Sequence, residues 1–158
     1  MYKLLFVGLM STPKNKIKPE KLGVHIKCRN FDVSLEFYRT LGFIEVFAYG
    51  PKEFLRTLAQ NVSTASEKYR GVVFGIGDSM LEIADGHVAV KEEVFEERIT
   101  SSKVSMMFDV SSVEDLMKVC RFNKIRIAVE PRVFPWGTKE IVIKDPDGLV
   151  LVFREWVK

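Results

Sequence analysis

The chain has 158 residues and a hydrophobic content of 47%, enough for one well-filled domain or for two small modules sharing a core. A net charge of +3, with Lys and Arg scattered rather than gathered, leaves no footprint for nucleic acid, and no apolar run approaches the ~20 residues that span a bilayer. The two cysteines, Cys28 and Cys120, fall in apolar alternation and read as buried thiols rather than as a disulfide framework.

Met1–Met10 is apolar, but it carries a single basic residue, Lys3, and no clear small-residue cleavage site, so a cytoplasmic location is expected. Residues 1–20 read as an arm and tether: a short strand at Lys3–Leu9, then Ser11–Glu20, rich in Pro and Lys. A first module is expected over residues 21–87. Val24, Ile26 and Cys28 alternate with His25, Lys27 and Arg29, the period of a strand with one apolar face. Asn30 or Asp32 then caps a helix bearing Val33, Leu35, Phe37, Tyr38 and Leu41, which Gly42 ends. Phe43–Tyr49 resumes as strand, Pro51 opens a short helix to Ala59, and Asn61–Lys68 reads as a polar loop. Gly71–Ile76 and Met80–Ala84 form a hairpin around Gly77-Asp78-Ser79.

Residues 88–102 form a connector, with a charged helix expected over Val88–Ile99. The order then repeats over residues 103–158. Lys103–Val110 is a strand, Val113–Phe122 a helix with Val113, Leu116, Met117 and Cys120 on one stripe, and Ile125–Val129 a strand. Last come Ile141–Lys144 and Leu149–Phe153, β-rich runs on either side of Asp145-Pro146-Asp147-Gly148, where Pro presets φ and Gly accepts φ > 0. Pro135-Trp136-Gly137 stands in the loop just ahead of this hairpin. The chain therefore predicts an α+β fold of two paired βαβββ modules, whose concave mixed sheets form a cleft.

Ser34-Leu35-Glu36-Phe37-Tyr38 with Leu41-Gly42-Phe43, followed in the second half by Trp136-Gly137 and Asp145-Pro146-Asp147-Gly148, resembles the vicinal oxygen chelate superfamily over about Leu22–Trp156. That superfamily includes glyoxalases, bleomycin-resistance proteins, fosfomycin-resistance enzymes and extradiol dioxygenases. The resemblance implies four positions for ligands to a divalent metal. Here they fall on Gly23, Glu82, Ser105 and Val152, so only Glu82 keeps a metal-binding side chain. One carboxylate does not replace the hydration of a divalent ion, and no obligatory metal or other cofactor is expected. The alternative recruits both histidines of the chain, His25 and His87, beside Glu82, as a two-His, one-carboxylate site.

By strand alternation the concave face collects His25, Lys27, Met80, Glu82, Ser105, Met107, Val150, Val152 and Arg154, with Trp136 at the rim. Each has a structural role open to it: Glu82 and Arg154 as mutual counter-ions, the methionines as filling, Trp136 as loop packing. Taken together they suggest a ligand cleft. The motifs lie nearest the bleomycin-resistance group, which implies a homodimer that binds a small organic molecule without metal. The slightly basic chain argues against bleomycin itself, a bulky cation, and an aromatic or anionic metabolite fits as well. A metal-dependent lyase, isomerase or dioxygenase using His25 and Glu82 is the alternative, and a regulatory partner with a vestigial cleft is a third class.

Overall fold

The computed structural model describes residues 19–157. The strand expected at Lys3–Leu9 lies outside them, as does all but the end of Ser11–Glu20. The first half runs β1 (Gly23–Lys27), α1 (Phe31–Thr40), β2 (Ile44–Gly50), α2 (Lys52–Leu55), β3 (Ser63–Ser66), β4 (Gly71–Ile76) and β5 (Ser79–Ala84), and α3 (Glu92–Glu96) leads out of it. The second runs β6 (Ser105–Asp109), α4 (Val113–Phe122), β7 (Ile127–Phe134), β8 (Thr138–Lys144) and β9 (Val150–Trp156). Two mixed sheets result, ordered β1-β5-β4-β2-β3 and β6-β9-β8-β7. In each, the first strand lies parallel to the last, which is the expected βαβββ plan used twice.

Local chemistry explains the two long helices. Asn30 Oδ1 accepts from Val33 N at 3.2 Å to open α1, and Gly42, at φ +87°, lets the chain leave it. Ser112 Oγ accepts from Asp115 N at 3.1 Å to open α4, and Glu155 of β9 reaches across to accept from Val113 N at 2.9 Å.

Four elements differ from the sequence reading. The expected loop at Asn61–Lys68 contains β3, whose small polar residues carry no strand pattern but whose main chain pairs in parallel with Phe47–Gly50 at the sheet edge. The helix expected from Pro51 to Ala59 is one turn long, and Thr57 Oγ1 donates to the Phe54 carbonyl just beyond it. The helix expected over Val88–Ile99 is confined to Glu92–Glu96, because Glu97 turns extended and Ile99 N donates instead to the Asp147 carbonyl at 2.8 Å. β7 runs on through Pro131 to Phe134, which its position at the sheet edge permits.

The inner faces of both sheets and both long helices contribute to one core. Ile26, Leu81, Ile83, Leu151 and Phe153 are buried there as the alternation required, with Val24 and Phe108 partly buried against them. Phe43 meets Phe108 edge-on at 5.2 Å, joining the halves. Cys28 and Cys120 are buried and free, and burial pushes the Cys28 thiol up to about 12.

The turn between β8 and β9 also joins the two halves. Tyr38 Oη donates to Asp145 Oδ2 at 3.0 Å, Ser34 Oγ to Asp147 Oδ2 at 3.4 Å, and Arg29 N to Asp147 Oδ1 at 3.1 Å. Asp145 Oδ1 accepts from Asp147 N and Leu149 N within the turn. Both carboxyls are almost wholly buried, and burial holds each above the usual aspartate range against the pull of these donors. A raised folded-state pKa means that the folded chain binds these protons more tightly than the unfolded chain. Their contribution to stability is therefore complete below the unfolded value of about 4 and is lost as pH rises through the folded values. Urea unfolding across this window is expected to show that loss, and Asp145→Asn to flatten it. An unchanged slope in the variant would remove Asp145 as its source.

Candidate functional site

Parallel pairing of β1 with β5 places His25 directly opposite Glu82, both on the sheet face turned away from the helices. Gly23, which stands at a ligand position of the family resemblance, faces Met80 instead. His25 Nε2 lies 3.8 Å from Glu82 Oε1 and is buried without a hydrogen-bond partner among the described residues. Burial, opposed by Glu82 and assisted by Lys27 and His87, holds the imidazole below its ordinary value, so it is neutral near pH 7. The His87 ring stands edge-on at 5.4 Å from His25, and its Nδ1 accepts from Ala89 N at 3.1 Å. Lys27 Nζ turns back to the His25 carbonyl at 3.3 Å, and Met80 is exposed.

The nearest partner of Glu82 is a residue that alternation alone did not reveal. Tyr49 Oη donates to Glu82 Oε1 at 2.6 Å across β4. It can do so because Gly71 stands opposite Tyr49 in the register, and a Cβ there would overlap the phenol ring. Burial, then this bond and the charge behind it, pushes the Tyr49 phenol well above its ordinary value, so it remains a proton donor. The repeat Phe47-x-Tyr49 was the available signal in the sequence. The strand register that gives it meaning was not.

Around this pair lies a cavity of about 370 Å³, lined by Phe47, Tyr49, Tyr69, Glu67, Glu82 and His87 among others. All its lining residues come from the first half of the chain. The expected contribution of both halves to one concavity is therefore not found in this cavity. Ser105, Met107, Val150, Val152 and Arg154 share the corresponding face of the second sheet, where Met107 is 52% exposed. Arg154 pairs with Asp109, not with Glu82. Trp136 stacks on Phe134 at 4.5 Å and donates Nε1–H to Glu140 Oε1 at 3.1 Å, at the tip of the β7–β8 hairpin.

Two sheets built by a repeated βαβββ unit, each leaving one face open, define a class of paired-module α+β proteins. The family profile of the Glyoxalase/Bleomycin resistance protein/Dioxygenase superfamily matches residues 24–153, and the chain belongs to that superfamily. Among solved structures, a glyoxalase/bleomycin resistance protein/dioxygenase from Nocardioides is similar at 17% identity with a TM-score of 0.62, covering 92% of this chain and 88% of that one. The bleomycin resistance determinant encoded on transposon Tn5 is similar at 20% identity and a TM-score of 0.51, covering 88% and 98%. A fosfomycin resistance protein from Listeria monocytogenes is similar at 13% identity and a TM-score of 0.56, covering 89% and 94%. At these identities the likeness is one of fold. A sequence comparison with curated proteins finds no significant match.

The donor set fits a divalent ion poorly. Gly23, Ser105 and Val152 stand at three of the four positions that the family resemblance assigns to ligands, and none carries an imidazole or carboxylate. Glu82 is engaged by Tyr49, His87 Nδ1 by a backbone N–H, and no three His, Cys, Asp or Glu among the described residues are placed to share a metal. No helix among the described residues is long and apolar enough to cross a membrane.

Proposed function

We propose that this chain binds a small organic molecule on the open face of its first sheet, without an obligatory metal. The observation that carries the reading is the cavity at Tyr49 and Glu82, which has aromatic walls and a few convergent polar groups. Its size suits a ligand of one or two rings. Metal independence is supported by the side chains at the family's ligand positions. A cytoplasmic homodimer completes the proposal: the open face of the second sheet carries exposed Met107 and Val129, beside Trp136 and Trp156 at 61% and 60% exposure, a surface suited to a second copy.

A metal-dependent lyase, isomerase or dioxygenase is the second reading. Its support is the buried His25 Nε2, without a hydrogen-bond partner among the described residues, beside Glu82, an imidazole and a carboxylate of the kinds that would hold such an ion. The two readings part in one experiment: elemental analysis of protein purified without added metal, with calorimetric titration of nickel, zinc, manganese and iron(II). The expected result is no stoichiometric metal and no micromolar affinity, with a melting temperature indifferent to chelator and raised by organic ligands. Stoichiometric metal that His25→Ala or Glu82→Ala removes would overturn the proposal in favour of the second reading.

A further inference from the structure

The charge of the cavity runs against the charge of the chain. The molecule carries +3 overall, yet among the described residues the cavity on the first sheet is lined by Glu67 and Glu82 and by no Lys or Arg. A second cavity of about 220 Å³ adjoins it, sharing Tyr69, Gly86 and His87, and adds Asp85, Glu92 and Glu96, again with no Lys or Arg among the described residues of its lining. Asp85 is neutralised by Arg70 at 2.6 Å, but no Lys or Arg among the described residues forms an ion pair with the other four carboxylates. Glu82 gives one oxygen to Tyr49, and Oε2 takes no hydrogen bond among the described residues. The neighbouring His25 supplies no compensating positive charge near neutral pH.

The walls match this charge. Phe47, Tyr49 and Tyr69 line the cavity, and aromatic faces attract cations through their quadrupole. One of them already does so within the chain: Lys68 Nζ sits over the Tyr69 ring at 5.1 Å. Tyr69 holds its place because Gly86 lacks a Cβ, which would overlap its ring. Carboxylates beside aromatic faces in a recess partly shielded from water penalise an anionic ligand and favour an ammonium or amidinium.

We infer that the ligand of this site is a small organic cation with a flat or aromatic portion, its positive group set at Glu82 and Glu67 and its ring between Phe47 and Tyr69. The inference rests on the binding reading above and adds the ligand's class to it. It also reverses what the net charge of the chain implied, that an anionic metabolite fits as well. The field at the site is set chiefly by the side chains lining it, with Lys68 as the competing cation at the Tyr69 wall.

Three probes of one shape and different charge test it: naphthylmethylamine, naphthylmethanol and naphthoate, titrated calorimetrically into the full chain at low salt. The amine is expected to bind at least about tenfold more tightly than the alcohol, and the carboxylate most weakly. Added salt should narrow the gap. Glu82→Gln should bring the amine within about twofold of the alcohol, and Lys68→Ala, which removes a competing cation, should strengthen the amine. Equal or tighter binding of the alcohol or carboxylate overturns the ligand class while leaving a binding site. A preference for the amine that survives Glu82→Gln overturns the part given to Glu82. If none of the three binds, the inference and the binding proposal fall together.

Discussion

Replacing Gly148 by alanine is expected to lower the unfolding free energy by about 3–5 kcal/mol, the sum of a left-handed backbone cost and a steric overlap with no easy escape. Gly148 sits at φ +96°, and a Cβ there would run into the Ile99 carbonyl oxygen. That carbonyl cannot simply turn aside, because Ile99 N is tied to the Asp147 carbonyl at 2.8 Å, and Gly148 N is tied to the Asp145 carbonyl at 3.0 Å. The same turn holds the two buried carboxylates that receive Tyr38, Ser34 and Arg29 from the first half of the chain. Distorting it therefore loosens the contact between the halves as well as one hairpin. Gly77→Ala is the control: its φ is +54° and nothing lies within 4 Å of a Cβ there, so only the backbone term of about 1 kcal/mol applies. Urea denaturation of the two variants decides the matter. A Gly148→Ala cost no larger than that of Gly77→Ala would mean that the turn does not hold the halves together.

This turn also marks how far the sequence could be read. Asp145-Pro146-Asp147-Gly148 announces a turn through its own residues, since the Pro and Gly conformations are local properties. That its aspartates reach Ser34 and Tyr38, more than 100 positions away, is not local, and the alternation of apolar residues carries no trace of it. Helix α4 was legible to its end residues because its apolar stripe is a short-range signal. Strand β3 was not, because Ser63–Ser66 is held by main-chain pairing to β2 and buries none of its side chains. The extension of β7 past Pro131 was hidden for a related reason: Pro is excluded from a central strand but not from an edge, and edge status depends on strand order.

The site divides in the same way. His25 and Glu82 could be placed on one face by counting in twos, and the structure sets them opposite each other. Tyr49 and Tyr69 could not be found by counting. Each occupies its place because a distant glycine leaves room for its ring, and the bulge between Glu45 and Phe47 shifts the phase of β2 ahead of the aromatic pair. Alternation predicts which way a side chain points. Register decides what it meets.

Gly71 offers the sharpest test of that dependence. A Cβ at Gly71 would overlap the Tyr49 ring, so in Gly71→Ala the ring must swing off β4 and Glu82 loses its 2.6 Å donor. A hydrogen bond to a charged, half-buried acceptor is worth about 1.5–3 kcal/mol, and a loss of about 2 kcal/mol is expected, together with loss of the cavity wall and of amine binding. If the cost arises through Tyr49, removing that ring first should abolish it. In a Tyr49→Ala background the ring that Gly71→Ala would strike is gone, and the strand gains from the exchange of Gly for Ala. A double-mutant cycle by urea denaturation is expected to show a coupling of about 1–3 kcal/mol, with the second substitution neutral or mildly stabilising. Additive costs would mean that the glycine serves the sheet backbone alone, and the Tyr49–Glu82 contact would lose its claim to shape the site.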